Sequence, residues 1–471
     1  VATPELEYLN WWRSRASTKL DWQADRFRRY AEYFDGEQEV PSVRMSSEER
    51  DVFRNFRRLA HANWTELIVN AVNERLKIVG FRVLGGAGPA WEIWEASGMD
   101  ADAELVNRDG LVGGSGFAFV QQGEERVEIT AESPEECVVL YEPGSRRRRA
   151  AGFKRFATEG DWWEVRQDGR EEWLILPEVI AIWRGPEEEP ELVDNPSGVI
   201  GLVELNPQPR TKGAPRSELK SAIPIQDRVD TILWNRLVAL DYSAFRQVWA
   251  SGVKLAREVI GQNEQTGEPE VKLRPPFDIG PNRLLIAEDP AARFGAIPES
   301  ALGGYLAAVE QDIETLAAIT QTPSHYLLGK MVNLSADAIM AAEAGLVAKV
   351  STRAAHLGEG WEEVIRTALH LAAEPGAADP ELEVIWADFA TRSEGQRVDA
   401  LVKMATLGVP QEVLWEKWGA SPQEVARWRQ LLAEDQARQA AAASAALGPE
   451  SIARILTGQG GQPGGATGGS P

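Results

Sequence analysis

Apolar residues recur at helical spacing over three long stretches. Ile225, Val229, Ile232, Leu233, Leu237, Leu240 and Val248 predict a helix from Pro224 to Trp249, whose other faces carry Asp227, Arg228, Asp230, Arg236 and Asp241. Leu302, Tyr305, Leu306, Val309, Ile313, Leu316 and Ile319 predict a second, from Pro298 to Thr320. Pro298 suits its N1 position, Glu299 complements its dipole, and Thr322-Pro323 ends it, because a residue before proline avoids the α region. Ile339, Leu346, Val350, Leu357, Trp361, Val364, Ala368 and Leu371 predict the third, capped by Ser335 with Asp337 in its first turn. Unbroken to Ala373 it would span about 57 Å, and Gly358 with Gly360 predicts a kink. The loop between the last two, 323–335, contains an apolar stretch, Tyr326-Leu327-Leu328-Gly329-Lys330-Met331-Val332-Asn333.

The pattern changes between the first two helices. Residues 251–296 are short of apolar runs and broken by Pro275-Pro276, Gly280-Pro281 and Asp289-Pro290. Val271–Leu273 and Leu284–Ile286 are small strand candidates there.

The N-terminal half mixes both periods. Residues 5–34 predict a helix rich in aromatic and basic residues (Trp11, Trp12, Trp22, Arg26, Phe27, Arg28, Arg29, Tyr30), stopped at Gly36. Either packing with snorkelling arginines or nucleic-acid contact accounts for that composition. Helices follow over about 48–76 and 91–108, with a strand at Val79–Val83 between them. Gly110, Gly113, Gly114 and Gly116 sit after a helix and before a strand, the reverse of a dinucleotide-binding turn, so they predict a tight connection. Strand candidates are Phe117–Gln121, Arg126–Thr130, Cys137–Tyr141, Ala150–Phe156, Trp162–Arg166, Glu172–Leu176 and Val179–Trp183. Arg146 to Arg149 follow the turn Glu142-Pro143-Gly144-Ser145 and suit either a charged hairpin edge or a nucleic-acid patch. Glu187 to Pro215 is a Pro-, Gly- and charge-rich connection. Leu382–Trp386 is a late strand, 393–407, 410–418 and 421–436 are short helices, and Gly458–Pro471 has the composition of a disordered tail.

With 471 residues and a net charge of −22, the chain can hold several packed modules but lacks the basic balance of a protein that grips phosphates. The acidity serves solubility, or a surface that DNA slides past without sticking. No apolar run spans a bilayer, and no basic-then-apolar signal peptide is present, so no membrane partner is expected. Cys137 alone forms no intrachain disulfide, as in a chain made in a reducing cytoplasm. His61, His325, His356 and His370 form no metal motif; no Gly-x-Ser-x-Gly or Walker lysine occurs, and no cofactor or catalytic activity is expected. Glu343 falls on the apolar stripe of the long helix and requires a partner, a basic residue or a backbone amide.

Thr320-Gln321-Thr322-Pro323-Ser324-His325-Tyr326-Leu327-Leu328-Gly329, then Asn333-Leu334-Ser335-Ala336-Asp337-Ala338 and Glu343-Ala344-Gly345-Leu346, resemble the portal proteins of tailed bacteriophages. The closest branch is that of siphophages of Gram-positive and actinobacterial hosts. Asn63–Leu76 and Val79–Val83 share the resemblance. It implies a mixed α+β portal fold: 1–216 wing, 217–250 stem helix, 251–297 clip, 298–322 stem helix, 323–335 tunnel loop, 336–390 long wing helix and returning strand, 391–450 helical crown, and 451–471 disordered tail.

The resemblance also implies a function. Twelve copies would form a ring at one capsid vertex of the virion, assembled in the host cytoplasm with capsid and scaffolding proteins. Double-stranded DNA would pass through it during packaging and ejection, with terminase and later a head-completion adaptor docked at the clip. Tyr326 to Asn333 would face the DNA, and Arg257, Lys272, Arg274, Arg283 and Arg293 are candidate partner contacts or intersubunit salt bridges. A pore-less cytosolic scaffold or adaptor, and a nucleic-acid-processing enzyme, are the rival readings.

Overall fold

The computed structural model describes residues 5–40, 59–83, 88–157, 170–185, 189–244, 248–252, 256–262, 269–274, 291–296, 302–329, 336–390, 394–420 and 422–446. The chain divides into two compact units, one of residues 1–31, 68–218 and 333–471, the other of 32–67 and 219–332.

The first unit is layered. Strands β4 (Cys137–Tyr141), β5 (Arg149–Ala157), β6 (Arg170–Ile175), β7 (Val179–Trp183) and β8 (Glu191–Asp194) form an antiparallel sheet in that order. Strand alternation gives it two apolar faces. Val138 and Leu140 turn toward helix α1 (Leu6–Asp35) and its Leu9, Ala16 and Leu20. Cys137 and Val139 turn the other way, toward Phe117, Phe119 and Leu202. Those belong to a three-stranded sheet, β3 (Val127–Glu132), β2 (Gly116–Gln122) and β9 (Leu202–Leu205). Polar contacts fix α1 on its sheet: Arg13 pairs with Glu172 at 2.5 Å, and the Gln23 amide donates to the Pro134 and Cys137 carbonyls at 2.7 and 2.8 Å.

Helix α2 (Trp64–Asn73) leads to β1 (Ile78–Arg82), which pairs with the late strand β14 (Glu383–Trp386). The helix expected over about 48–76 does not run continuously. The chain is irregular over 61–63, and Asn63 Oδ1 accepts the Glu66 amide at 3.1 Å as an N-cap, starting α2 afresh. Likewise the helix expected over 91–108 is two, α3 (Gly88–Ala96) and α4 (Met99–Gly113), separated at Gly98 with φ 70°. The glycine cluster is the tight connection the sequence predicted: Gly114 caps α4 at φ 100°, and a Cβ on Gly116 would meet the Val106 carbonyl oxygen at 2.2 Å. The 187–215 connection contains β8 and β9 as well. Trp162–Arg166 lies outside the described residues.

The second unit holds α5 (Ile223–Ala244), β10 (Val248–Ser251), β11 (Ala256–Gln262), β12 (Pro269–Arg274), β13 (Arg293–Ala296), α6 (Gly303–Thr320) and α7 (Ser324–Leu328). Then α8 runs without a break from Ala336 to Leu371, through both Gly358 and Gly360. Gly360 lets Leu205 of β9 approach: an added Cβ would meet Leu205 Cγ at 2.9 Å. The neighbouring Trp361 is buried, donates to Asn107 of α4 at 3.0 Å, and meets Trp94 of α3 edge-on at 5.1 Å. Glu343 has the partner its position required, Arg75 at 3.3 Å. Helices α9 (Glu394–Thr406), α10 (Gln411–Trp418) and α11 (Pro422–Ala446) follow, the last continuing ten residues past the expected end at 436.

Candidate functional site

The second unit is built on α5 and α6, which pack together. Ile225, Val229 and Leu233 of α5 and Val309, Ile313 and Leu316 of α6 are all buried. Arg228 of α5 pairs with Asp312 of α6 at 2.6 Å, fixing the two helices side by side. The chain leaves along α5 into β10 and comes back through β13 into α6, and β10 pairs antiparallel with β13, Val248 opposite Ala296 and Ser251 opposite Arg293. Between them β11 and β12 form an antiparallel pair. The first helix therefore ends at Ala244, short of the expected Trp249, because Val248 and Trp249 pair in a strand instead. This out-and-back path carries a small β module at its turn.

Of the expected partner contacts, Arg257 lies on β11, Lys272 and Arg274 on β12, and Arg293 on β13. Backbone register sets Lys272 opposite Glu258, Arg257 opposite Leu273 and Arg274 opposite Ala256. Arg293 is exposed. Arg283, Leu284–Ile286 and Pro298 lie outside the described residues.

Part of the expected loop is a helical turn. Tyr326, Leu327 and Leu328 fall in α7, which starts directly after Pro323 and ends at Gly329, φ 63°, whose amide donates to the His325 carbonyl at 3.0 Å. Leu327 is buried, and its carbonyl accepts the Trp64 indole N–H at 3.1 Å. Tyr326 meets His325 edge-on at 4.6 Å. Lys330, Met331, Val332, Asn333 and the cap Ser335 lie outside the described residues.

Asp230, expected off the apolar stripe of α5, is completely buried, at 0% exposure. Gln38 donates to Asp230 Oδ2 at 2.9 Å and Gln226, one turn earlier, to Oδ1 at 2.8 Å. Gln226 also donates to the Ala62 carbonyl at 2.9 Å. Tyr33 donates to the neighbouring Asp227 at 2.7 Å. Burial raises the Asp230 carboxyl above its ordinary range, against the two amides and His61, with Asp227 adding to the rise. The only hint in sequence was Gln226 and Asp230 standing four apart beside Ile225, Val229 and Leu233, on the stripe itself.

The four arginines 146–149 are engaged within the chain. Arg149 pairs with Glu363 at 2.5 Å and donates to the Ile200 and Leu202 carbonyls at 2.6 and 3.1 Å. Arg147 pairs with Glu359 at 3.0 Å, Arg148 with Glu142 at 3.5 Å, and Arg146 donates to the Arg210 carbonyl at 3.1 Å. Arg149 and Arg147 tie the hairpin to α8, while the Arg147 and Arg148 side chains remain largely exposed. Among the described residues no cluster of His, Cys, Asp or Glu could hold a metal ion, and no helix is long and apolar enough to cross a membrane.

By family, this mixed α+β chain is a phage portal protein. The chain belongs to the portal family described as SPP1 Gp6-like, whose model matches residues 18–439. It is similar to the portal protein of Mycobacterium phage D29, 27% identical over 398 residues, and to that of Mycobacterium phage L5, 28% identical over 399, with 79% of each chain covered in both cases. Family membership gives the chain a portal function in bacteriophage DNA packaging.

Proposed function

We propose that the chain is one subunit of a closed ring of twelve at the capsid vertex of a virion, with α5 and α6 as the stem and β10–β13 as the clip. The observation that carries this is the out-and-back path, α5 to β10 and β13 to α6, with the β11–β12 pair at its far end. A module tethered by two packed helices suits repeated head-to-tail contacts, which close into a ring when the rotation closes. Helix α6 exposes Glu310 and Glu314 and contains no lysine or arginine, so a channel lined by that face repels phosphates and leaves DNA free to move.

In this reading residues 323–335 form a tunnel loop beside the DNA, with the α7 turn as its base, and the clip docks terminase during filling and a head-completion adaptor afterwards. Residues 1–216 and 336–390 are the wing, 391–450 the crown, and capsid and scaffolding proteins the partners outside the ring. Reversing Arg257, Lys272, Arg274 and Arg293 to glutamate should leave rings intact and weaken terminase or adaptor binding. Rings that bind both partners normally would reassign these cations to contacts within the ring. The first experiment is electron microscopy with mass photometry of the full chain. Rings are expected, and monomers alone across salt and concentration would overturn the reading.

A further inference from the structure

Helix α1 has a committed face and a vacant one. Leu9, Ala16, Leu20, Gln23 and Ala24 are buried against the five-stranded sheet. The opposite face runs Tyr8, Trp11, Arg15, Thr18, Trp22, Asp25 and Arg29, all exposed and spaced alternately three and four residues apart. Tyr8, Trp11 and Trp22 are 51%, 52% and 54% exposed, a large aromatic area to leave in water. The Arg15 guanidinium lies 5.5 Å from the Trp11 ring centre, held ready by the ring. Arg15 and Arg29 form no ion pair among the described residues. Aromatic and arginine side chains are the residues that dominate protein interfaces.

The same unit carries a complementary surface. Glu92 and Glu95 of α3 and Asp100, Glu104 and Leu105 of α4 are exposed, Leu105 at 41%. These four acids form no ion pair among the described residues, and α3 contains no cation while α4 contains only Arg108. The two surfaces lie on different layers: α1 covers the five-stranded sheet, whereas α3 and α4 pack on β3. They are thus two different patches on one chain, the requirement for a head-to-tail contact.

We propose that the outer face of α1 docks on the acidic α3–α4 face of the next copy of this chain, with Trp11 and Trp22 flanking Leu105 and Arg15 and Arg29 meeting Glu92, Glu95, Asp100 or Glu104. This contact rests on the ring reading and gives it a specific interface. In a chain of net charge −22, copies repel at long range, so a basic aromatic stripe set against an acidic patch also fixes which surfaces meet.

The test is mass photometry of the full chain across a dilution series, with circular dichroism confirming the fold of each variant. Arg15→Glu with Arg29→Glu, and separately Glu92→Arg with Glu104→Arg, should each raise the concentration at which rings dissociate by about tenfold or more. Combining all four reversals should bring it back toward the wild-type value, and Trp11→Ser with Trp22→Ser should weaken assembly without rescue by any charge change. Wild-type rings that assemble equally well with the α1 face reversed, or a combined variant no better than its weaker parent, would overturn the contact while leaving the ring reading standing. Absence of wild-type rings would sink the ring reading itself. Normal assembly with lost binding to a DNA duplex would assign the α1 face to nucleic acid and overturn the proposal.

Discussion

Glu218 and Lys349 form an ion pair at 3.0 Å with only 6% and 2% of their side chains exposed. Arg353, one helical turn beyond Lys349, binds the same carboxylate, and Gln208 donates to it at 2.6 Å. Two cations on one buried acid is an arrangement that tolerates loss of a cation better than loss of the acid. Burial alone would raise the Glu218 carboxyl, but Lys349 and Arg353 outweigh it and hold it below the usual carboxylate range.

Glu218→Ala should therefore destabilise the chain by about 3–5 kcal/mol, because it strands two buried cations. A folded value below the unfolded one means the stabilisation is complete above the ordinary carboxylate range and is lost as pH falls through the folded value. Urea unfolding should show the wild-type advantage persisting to about pH 4 and shrinking below it. A variant of wild-type stability would show that the acid contributes nothing net.

Asp230 has the opposite sign. Its folded value is raised, so charging it costs stability as pH rises from the ordinary carboxylate range through the folded value. Gln38 Oε1 and Gln226 Oε1 are buried without a hydrogen-bond partner among the described residues. Asp230→Asn keeps an acceptor for one glutamine amide and supplies a donor for a spare carbonyl. The variant should melt higher than wild type at neutral pH, and the gain should fade toward pH 4. A lower melting temperature at neutral pH would mean that the carboxylate is needed in its charged form.

The glycines between α4 and β2 and before α4 should rank by what a methyl group meets. Gly116→Ala would press on the Val106 carbonyl at 2.2 Å, Gly114→Ala adds a left-handed residue at φ 100° to a 2.8 Å approach to the Pro215 carbonyl, and Gly98→Ala has open space and only its φ of 70° against it. The last should cost about 1–2 kcal/mol, the other two more. Thermal melting in any other order would refute the steric argument.

Most long helices were legible because their apolar stripes persist for several turns, and Glu343 was legible as a buried acid because it interrupts one. Its partner was not, since Arg75 lies 268 residues away. Asp230 was misplaced for the same reason: the amide that makes its burial tolerable, Gln38, is 192 residues distant. Strand β8 escaped because all four of its residues are exposed, which leaves no alternation to read. The break before α2 escaped because Asn63 looked like one polar residue in a helix, when its side chain caps a new one. At the candidate site the helix pair was readable from periodicity, whereas β11 has Arg257 and Glu258 side by side and so shows no clean alternation, and β13 is only four residues long.

Lys330 is the only formal charge between Tyr326 and Asn333, and it follows Gly329, where α7 ends in a left-handed residue. Leu327, buried with its carbonyl bound to Trp64, anchors the start of the segment, and α8 resumes at Ala336. In the ring reading this places a circle of ammonium groups beside the duplex, each contact weak and screened by salt beyond about 8 Å at physiological ionic strength. Weak contacts let DNA move while resisting its sliding equally in both directions. Lys330→Glu adds a circle of repulsive charges, and deletion of Leu328 to Val332 removes the segment while sparing the Leu327 anchor. Both variants should assemble rings, and packaging assays should show shorter filled length or poorer retention of packaged DNA. Normal rings that package at the wild-type rate and length would leave the segment without a role in DNA handling. A Lys330→Ala variant separates the two electrostatic effects: if lost attraction is the cause it resembles Lys330→Glu, and if added repulsion is the cause it resembles wild type.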